Sequence, residues 1–142
     1  MTRLLTISFL LIFISADAQK VKADDILGTW IAGEGKAKVS VFKSGTKYFG
    51  KIIWLKEPLK NGKQKTDIHN PDPHLRSKPV IDLVVLKNFE FEDGEWVNGR
   101  VYDPSSGNDY SCKITMPNLR TLKVRGFIGI SLLGKTDVWK RN

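Results

Sequence analysis

The sequence has one cysteine, Cys112, so no internal disulfide can form and stability has to come from packing. It has two histidines, His69 and His74, both in one short stretch. Helical periodicity is nearly missing, beyond one turn at Ala23–Ile26. There is no Ser-His-Asp pattern, no paired-carboxylate motif and no phosphate-cradling glycine loop. A catalytic reading is left with Cys112 acting with a distant His69 or His74, and no catalytic residue is assigned. No cofactor is implied. Dense basic runs and an aromatic-basic signature are also missing, which argues against a nucleic-acid partner. The one long apolar run, Leu4–Ile14, is well short of the roughly 20 residues that a membrane span needs.

That run follows Arg3 and precedes Ser15-Ala16-Asp17-Ala18, small residues in A-x-A spacing. The pattern is that of a secretory signal over residues 1–18, cleaved between Ala18 and Gln19. The expected product is a single exported domain over residues 19–142, without a membrane span, in the periplasm or outside the cell. The chain carries an excess of eight positive charges. Removal of residues 1–18 leaves that excess unchanged, because Arg3 and Asp17 cancel. The basic balance suits solubility, and it also admits peripheral contact with an anionic envelope surface.

The rest of the chain is period-two patterning broken by Gly, Pro, Asn and Asp. Eight strands are predicted: Leu27–Ala32, Lys36–Lys43, Lys47–Leu55, Val80–Phe91, Glu95–Tyr102, Asp109–Met116, Thr121–Ile128 and Thr136–Arg141. Mixed parity in the fourth points to a bulge. The sixth alternates cleanly through Tyr110, Cys112, Ile114 and Met116, which places the thiol in the core. Eight strands joined mostly by hairpin-length turns fit an all-β, up-and-down antiparallel barrel, with a two-sheet sandwich as the alternative. Leu27–Ile31 would open the barrel and Asp137–Arg141 would close it. One connection breaks the meander: Lys56–Pro79, with Pro58, Pro71, Pro73 and Pro79. Asn61–Lys65 reads as a mobile tip, and Thr66–Pro79 as fixed by Asn70-Pro71-Asp72-Pro73. Gly129–Gly134, apolar and bounded by glycine, reads as a plug for one barrel end or as an exposed contact patch.

Several stretches resemble a family of uncharacterised exported bacterial proteins, domain of unknown function 2147. They are Gly28-Thr29-Trp30 with Gly33-x-Gly35, Gly50-Lys51-Ile52, Asn70-Pro71-Asp72 with Leu75-Arg76-x-Lys78-Pro79, Tyr102-Asp103-Pro104-x-x-Gly107, Tyr110-x-Cys112, and Val124-Arg125-Gly126 through Leu132-Leu133-Gly134 to Trp139. The resemblance implies a calycin-like barrel, the group that includes lipocalins. It further implies that Trp30 of Gly28-x-Trp30 packs across the closed end beneath a basic residue of the last strand, Arg141 or Lys140, with Arg141 preferred for planar stacking. The family often carries cysteines where this chain has Ser44 and Phe49, so a function that depends on that pair is not expected here.

Three groups of residues could carry function. Asp67, His69, Asn70, Asp72, His74 and Arg76 share one loop. Their spacing matches no standard metal site, and Asn and Asp side chains that bond their own backbone explain them better, so no metal is assigned. Arg76 would pair with Asp72 or Asp67, or with an anionic group on a ligand. Trp96, Asn98, Arg100 and Tyr102 share one parity of the fifth strand. If that parity points inward, Asn98 and Arg100 are polar groups inside the barrel, waiting for a ligand. The leading expectation is non-catalytic binding of a small apolar or amphiphilic ligand in the barrel mouth, with Arg76, Trp96, Asn98, Arg100 and Tyr102 around it. The alternatives are a filled barrel acting as an envelope interaction or stress-related module, and an enzyme using Cys112. An interior cavity of at least about 300 Å³ favours the first.

Overall fold

The computed structural model describes residues 20–127 and 135–142. Residues 1–19, with the segment expected to be a secretory signal, and residues 128–134, with the Gly129–Gly134 segment expected to be a plug or contact patch, lie outside the described residues. The strands are β1 (Gly28–Ala32), β2 (Ala37–Ser44), β3 (Lys47–Leu55), the short β4 (Leu59–Lys60) and β5 (Lys63–Gln64), β6 (Val84–Glu92), β7 (Glu95–Asp103), β8 (Asn108–Asn118), β9 (Thr121–Phe127) and β10 (Lys135–Arg141). Eight of them close into an antiparallel barrel in the order β1-β10-β9-β8-β7-β6-β3-β2. Every neighbour except β3–β6 and β1–β10 is also a neighbour in sequence, which is the up-and-down meander. The sandwich alternative is excluded, because β1 pairs with both β2 and β10 and leaves no open edge.

Alternation explains the core. Cys112, Ile114 and Met116 of β8 are buried, while Ser111 is exposed and Lys113 and Thr115 are half-buried between them. Trp30, Trp96, Phe89, Leu86, Ile114, Leu122 and Val39 are each less than 3% exposed, and together they fill the space between the walls. Each such side chain contributes about 1.5–3 kcal/mol by leaving water.

One end is sealed by the 3-10 turn Ala23–Ile26. Trp30 Nε1 donates to the Ile26 carbonyl at 2.9 Å, and Trp96 Nε1 to the Ala23 carbonyl at 3.2 Å. The Tyr48 hydroxyl donates to the Asp24 carboxylate, which also pairs with Lys43. Asp24 is thereby held below the usual carboxylate range, chiefly by the tyrosine hydrogen bond. Arg141 lies over the Trp30 ring, its Cζ 4.2 Å from the centroid. Its guanidinium donates to the carbonyls of Leu119, Leu27 and Asp25 at 2.7, 3.0 and 2.6 Å. A side chain on Gly28 would meet that guanidinium at 3.0 Å.

The structure corrects the sequence-based expectations at two places in the connection between β3 and β6. Asn61–Lys65 is not a loose tip. Leu59 pairs with Gln64 and Lys60 with Lys63 across Asn61-Gly62, both of which have left-handed backbone (φ 53° and 75°). That is the two-residue hairpin turn that an Asn-Gly pair favours. Residues 80–83 are not strand either. Val80 N–H bonds back to the Lys65 carbonyl and Leu83 N–H to the Val80 carbonyl, and Asp82 is left-handed, so the ladder of β6 starts only at Val84.

Candidate functional site

Asp67 is fully buried, and both of its carboxylate oxygens are engaged. The Tyr102 hydroxyl donates to Oδ1 at 2.6 Å and Asn70 Nδ2 to Oδ2 at 2.7 Å. A buried carboxylate is tolerable only when it is satisfied in this way. Around it the connection is internally bonded. Asp72 N–H donates to Asn70 Oδ1, His74 N–H to Asp72 Oδ1, and Asp67 N–H to the Lys78 carbonyl. Gly107, in the β7–β8 turn, is left-handed, and a Cβ there would fall 1.9 Å from the His69 carbonyl oxygen. The connection is thus pressed against the end of β7–β8, with Asp67 as its anchor.

Arg76 forms an ion pair with neither Asp72 nor Asp67. Its Nε donates to the Asn70 carbonyl at 2.7 Å, which ties the loop to itself. Asn70 and Asp72 act as turn-forming side chains. Among the described residues no group of three or more His, Cys, Asp or Glu is placed to hold a metal.

The four β7 residues of one sequence parity do not share a face. Trp96 is buried at the sealed end, whereas Asn98 and Arg100 are exposed. The cause is a bulge. Trp96 pairs with Ile114 and Gly99 with Cys112, so Val97 and Asn98 together stand opposite Lys113 alone, and Asn98 is left-handed at φ 59°. Past the bulge, Gly99 faces in under the Phe89 ring and Arg100 faces out opposite Lys87 and Ser111. Tyr102 has the parity of Arg100, but it is only 5% exposed and its hydroxyl ends on Asp67 of the connection. That burial and bond hold its ionisation well above the ordinary phenol range. Trp96 and Tyr102 are therefore part of the packed structure, Arg76 stays exposed on the loop, and Asn98 and Arg100 point away from the barrel interior.

The bulge has a second effect. It opens a hollow of about 470 Å³ on the outer wall, lined by Val97, Asn98, Gly99, Arg100, Ser111, Cys112 and Lys113. Lys113 pairs with Glu95 at 3.3 Å, and Asn98 Nδ2 donates to Glu90 at 3.3 Å. Arg100 Nη1 reaches Ser111 Oγ at 3.4 Å, and no ion pair to Arg100 occurs among the described residues. Lys87, directly across from it in the ladder, sits 5.2 Å from the centre of the Tyr102 ring. Two cations directly opposite each other in a ladder, with no carboxylate between them, repel. An anion would relieve that repulsion. Ser111 and Lys113 were not among the residues singled out from sequence. They enter the site through β7–β8 register, which no local pattern shows.

Cys112 lies at the floor of the hollow with its side chain inward and 3% exposed. Burial pushes its thiol up to about 12, so it is protonated at neutral pH and unsuited to nucleophilic attack.

Comparison with known proteins agrees with the barrel. A search of curated proteins finds no match. Among solved structures, a protein of the human pathogen Helicobacter pylori, described as belonging to the lipocalin family, is similar with a TM-score of 0.70 and 23% identity, over 82% of each chain. The model of a bacterial family matches residues 28–141, the whole barrel from β1 to β10. This chain belongs to that family, the uncharacterised proteins conserved in bacteria designated DUF2147.

Proposed function

We propose that this is an exported, non-catalytic binding protein that takes a small, partly apolar ligand with an anionic group, seated in the outer hollow at the β7 bulge rather than in the barrel mouth. The observation that carries the reading is Arg100: a guanidinium at an open hollow of the outer wall, opposite a second cation and without a carboxylate partner among the described residues. Its planar fork suits a carboxylate or phosphate, and Val97, half-buried in the lining, gives the ligand an apolar contact. Lipocalin-like folds supply the general precedent for small-ligand binding.

The test is native mass spectrometry of the protein purified without denaturant from its own host, beside Arg100→Ala. An extra mass that denaturation removes, and that the variant lacks, supports the reading and identifies the ligand. A bare mass in the parent, unchanged after incubation with envelope lipid and metabolite extracts, overturns it.

The packed interior favours one second reading. With Trp30, Trp96, Phe89 and Leu86 occupying the barrel, the protein would act by its surface as an envelope interaction module. A bare mass combined with co-purification of one stoichiometric protein would support that reading.

A further inference from the structure

The end of the barrel away from Trp30 carries, among the described residues, an uneven share of exposed apolar side chains. Among the described residues seven large hydrophobics are exposed, and five of them, Ile53, Trp54, Leu59, Ile68 and Leu75, fall in the end of β3 and the connection that follows. Trp54 is 42% exposed and Leu59 56%. The cause at β3 is a register shift. Val39 pairs with Ile52 but Lys38 with Trp54, so Ile53 is the extra residue and two consecutive apolar side chains stay outside. The β4–β5 hairpin then projects from the same rim. Over residues 56–65 it carries Lys56, Lys60, Lys63 and Lys65 against Glu57 alone. None of these lysines forms an ion pair among the described residues. Lys38 stacks over the Trp54 ring at 5.4 Å.

We propose that this rim is a peripheral docking surface for an anionic phospholipid bilayer. An exposed indole beside aliphatic side chains and unpaired lysines is the chemistry that partitions to a charged lipid–water boundary: the rings and chains enter the headgroup zone while the ammonium groups meet phosphate. No helix among the described residues is long and apolar enough to cross a membrane, so the contact is a surface one. The proposal is independent of the hollow at β7.

Trp54 provides the readout, because Trp30, Trp96 and Trp139 are buried. Protein purified as its host makes it would be mixed with phosphatidylcholine vesicles, with and without phosphatidylglycerol, and followed by flotation and tryptophan emission. Binding and a blue shift only with phosphatidylglycerol, both reversed by high salt, support the proposal. Lys60→Glu with Lys63→Glu should lose binding, Leu59→Ser should weaken it several-fold, and Trp54→Phe should keep binding but lose the blue shift. All variants keep the parent N-terminus, so differences report the rim. These are exposed positions, and circular dichroism of each variant would check that the fold is retained. Failure to float, equal binding to neutral vesicles, or variants that bind like the parent would overturn it.

Discussion

The Tyr102 hydroxyl and the Asp67 carboxylate meet at 2.6 Å across 35 residues of chain. One residue belongs to a barrel strand and the other to the connection between β3 and β6, so this bond joins the long loop to the wall. Tyr102→Phe keeps the ring beneath Lys87 and removes only the donor. It leaves a buried carboxylate short of a partner, a loss of about 1–3 kcal/mol. Urea denaturation should show a lower midpoint with an unchanged slope. An unchanged midpoint would mean that the loop is held by its own internal bonds.

Arg141 caps the sealed end with its guanidinium over the Trp30 ring and three carbonyl contacts. Arg141→Lys keeps the charge but cannot reproduce that fork. It should cost nearly as much as Arg141→Ala, about 1–3 kcal/mol in either case. Guanidinium denaturation followed by tryptophan emission compares the two. A lysine variant as stable as the parent would reduce the role of Arg141 to its charge.

Gly99 is required by volume. A Cβ there would fall 2.3 Å from the Phe89 ring. Gly99→Ala should destabilise by about 1–3 kcal/mol or prevent folding. Adding Phe89→Leu should recover part of the loss, a coupling that a thermal-unfolding double-mutant cycle measures directly.

Cys112 should resist a thiol reagent in the native protein and react at once in denaturant. Burial raises its thiol from 9.0 to about 12. Below pH 9 the thiol keeps its proton in both states. Between pH 9 and 12 the unfolded chain releases that proton while the folded chain retains it, so stability falls as pH rises through this window. Tyr48 and Tyr102, also raised, add their own fall above pH 10. Cys112→Ala should flatten the alkaline slope relative to the parent and leave the tyrosine part. Identical slopes would contradict the buried, protonated thiol.

The fold was legible because one face of most strands is continuously apolar, as in Cys112, Ile114 and Met116, and because turn residues interrupt the pattern at hairpin spacing. The outer hollow was less legible, and the reason is local. Period-two reading assumes one residue per pleat, whereas Val97 and Asn98 spend two on one position, so Trp96 turns inward and Asn98 outward. Asn98-Gly99 carries a hint, since asparagine tolerates left-handed backbone, as Asn61 and Asn88 also do here. The partner of Arg76 left no signal at all. It is a backbone carbonyl whose position depends on the whole loop being folded.

The seam of the barrel joins β1 to β10 through only two paired positions, Trp30 with Arg141 and Ile31 with Lys140. The first and last strands of the ring therefore depend on each other for their outer neighbour. Until residues 135–141 are in place, β1 can pair with β2 alone, and Arg141 is not there to cover the Trp30 ring. Closure of the ring therefore rests on the strand pairing of longest sequence separation in the wall, the kind of contact that slows folding.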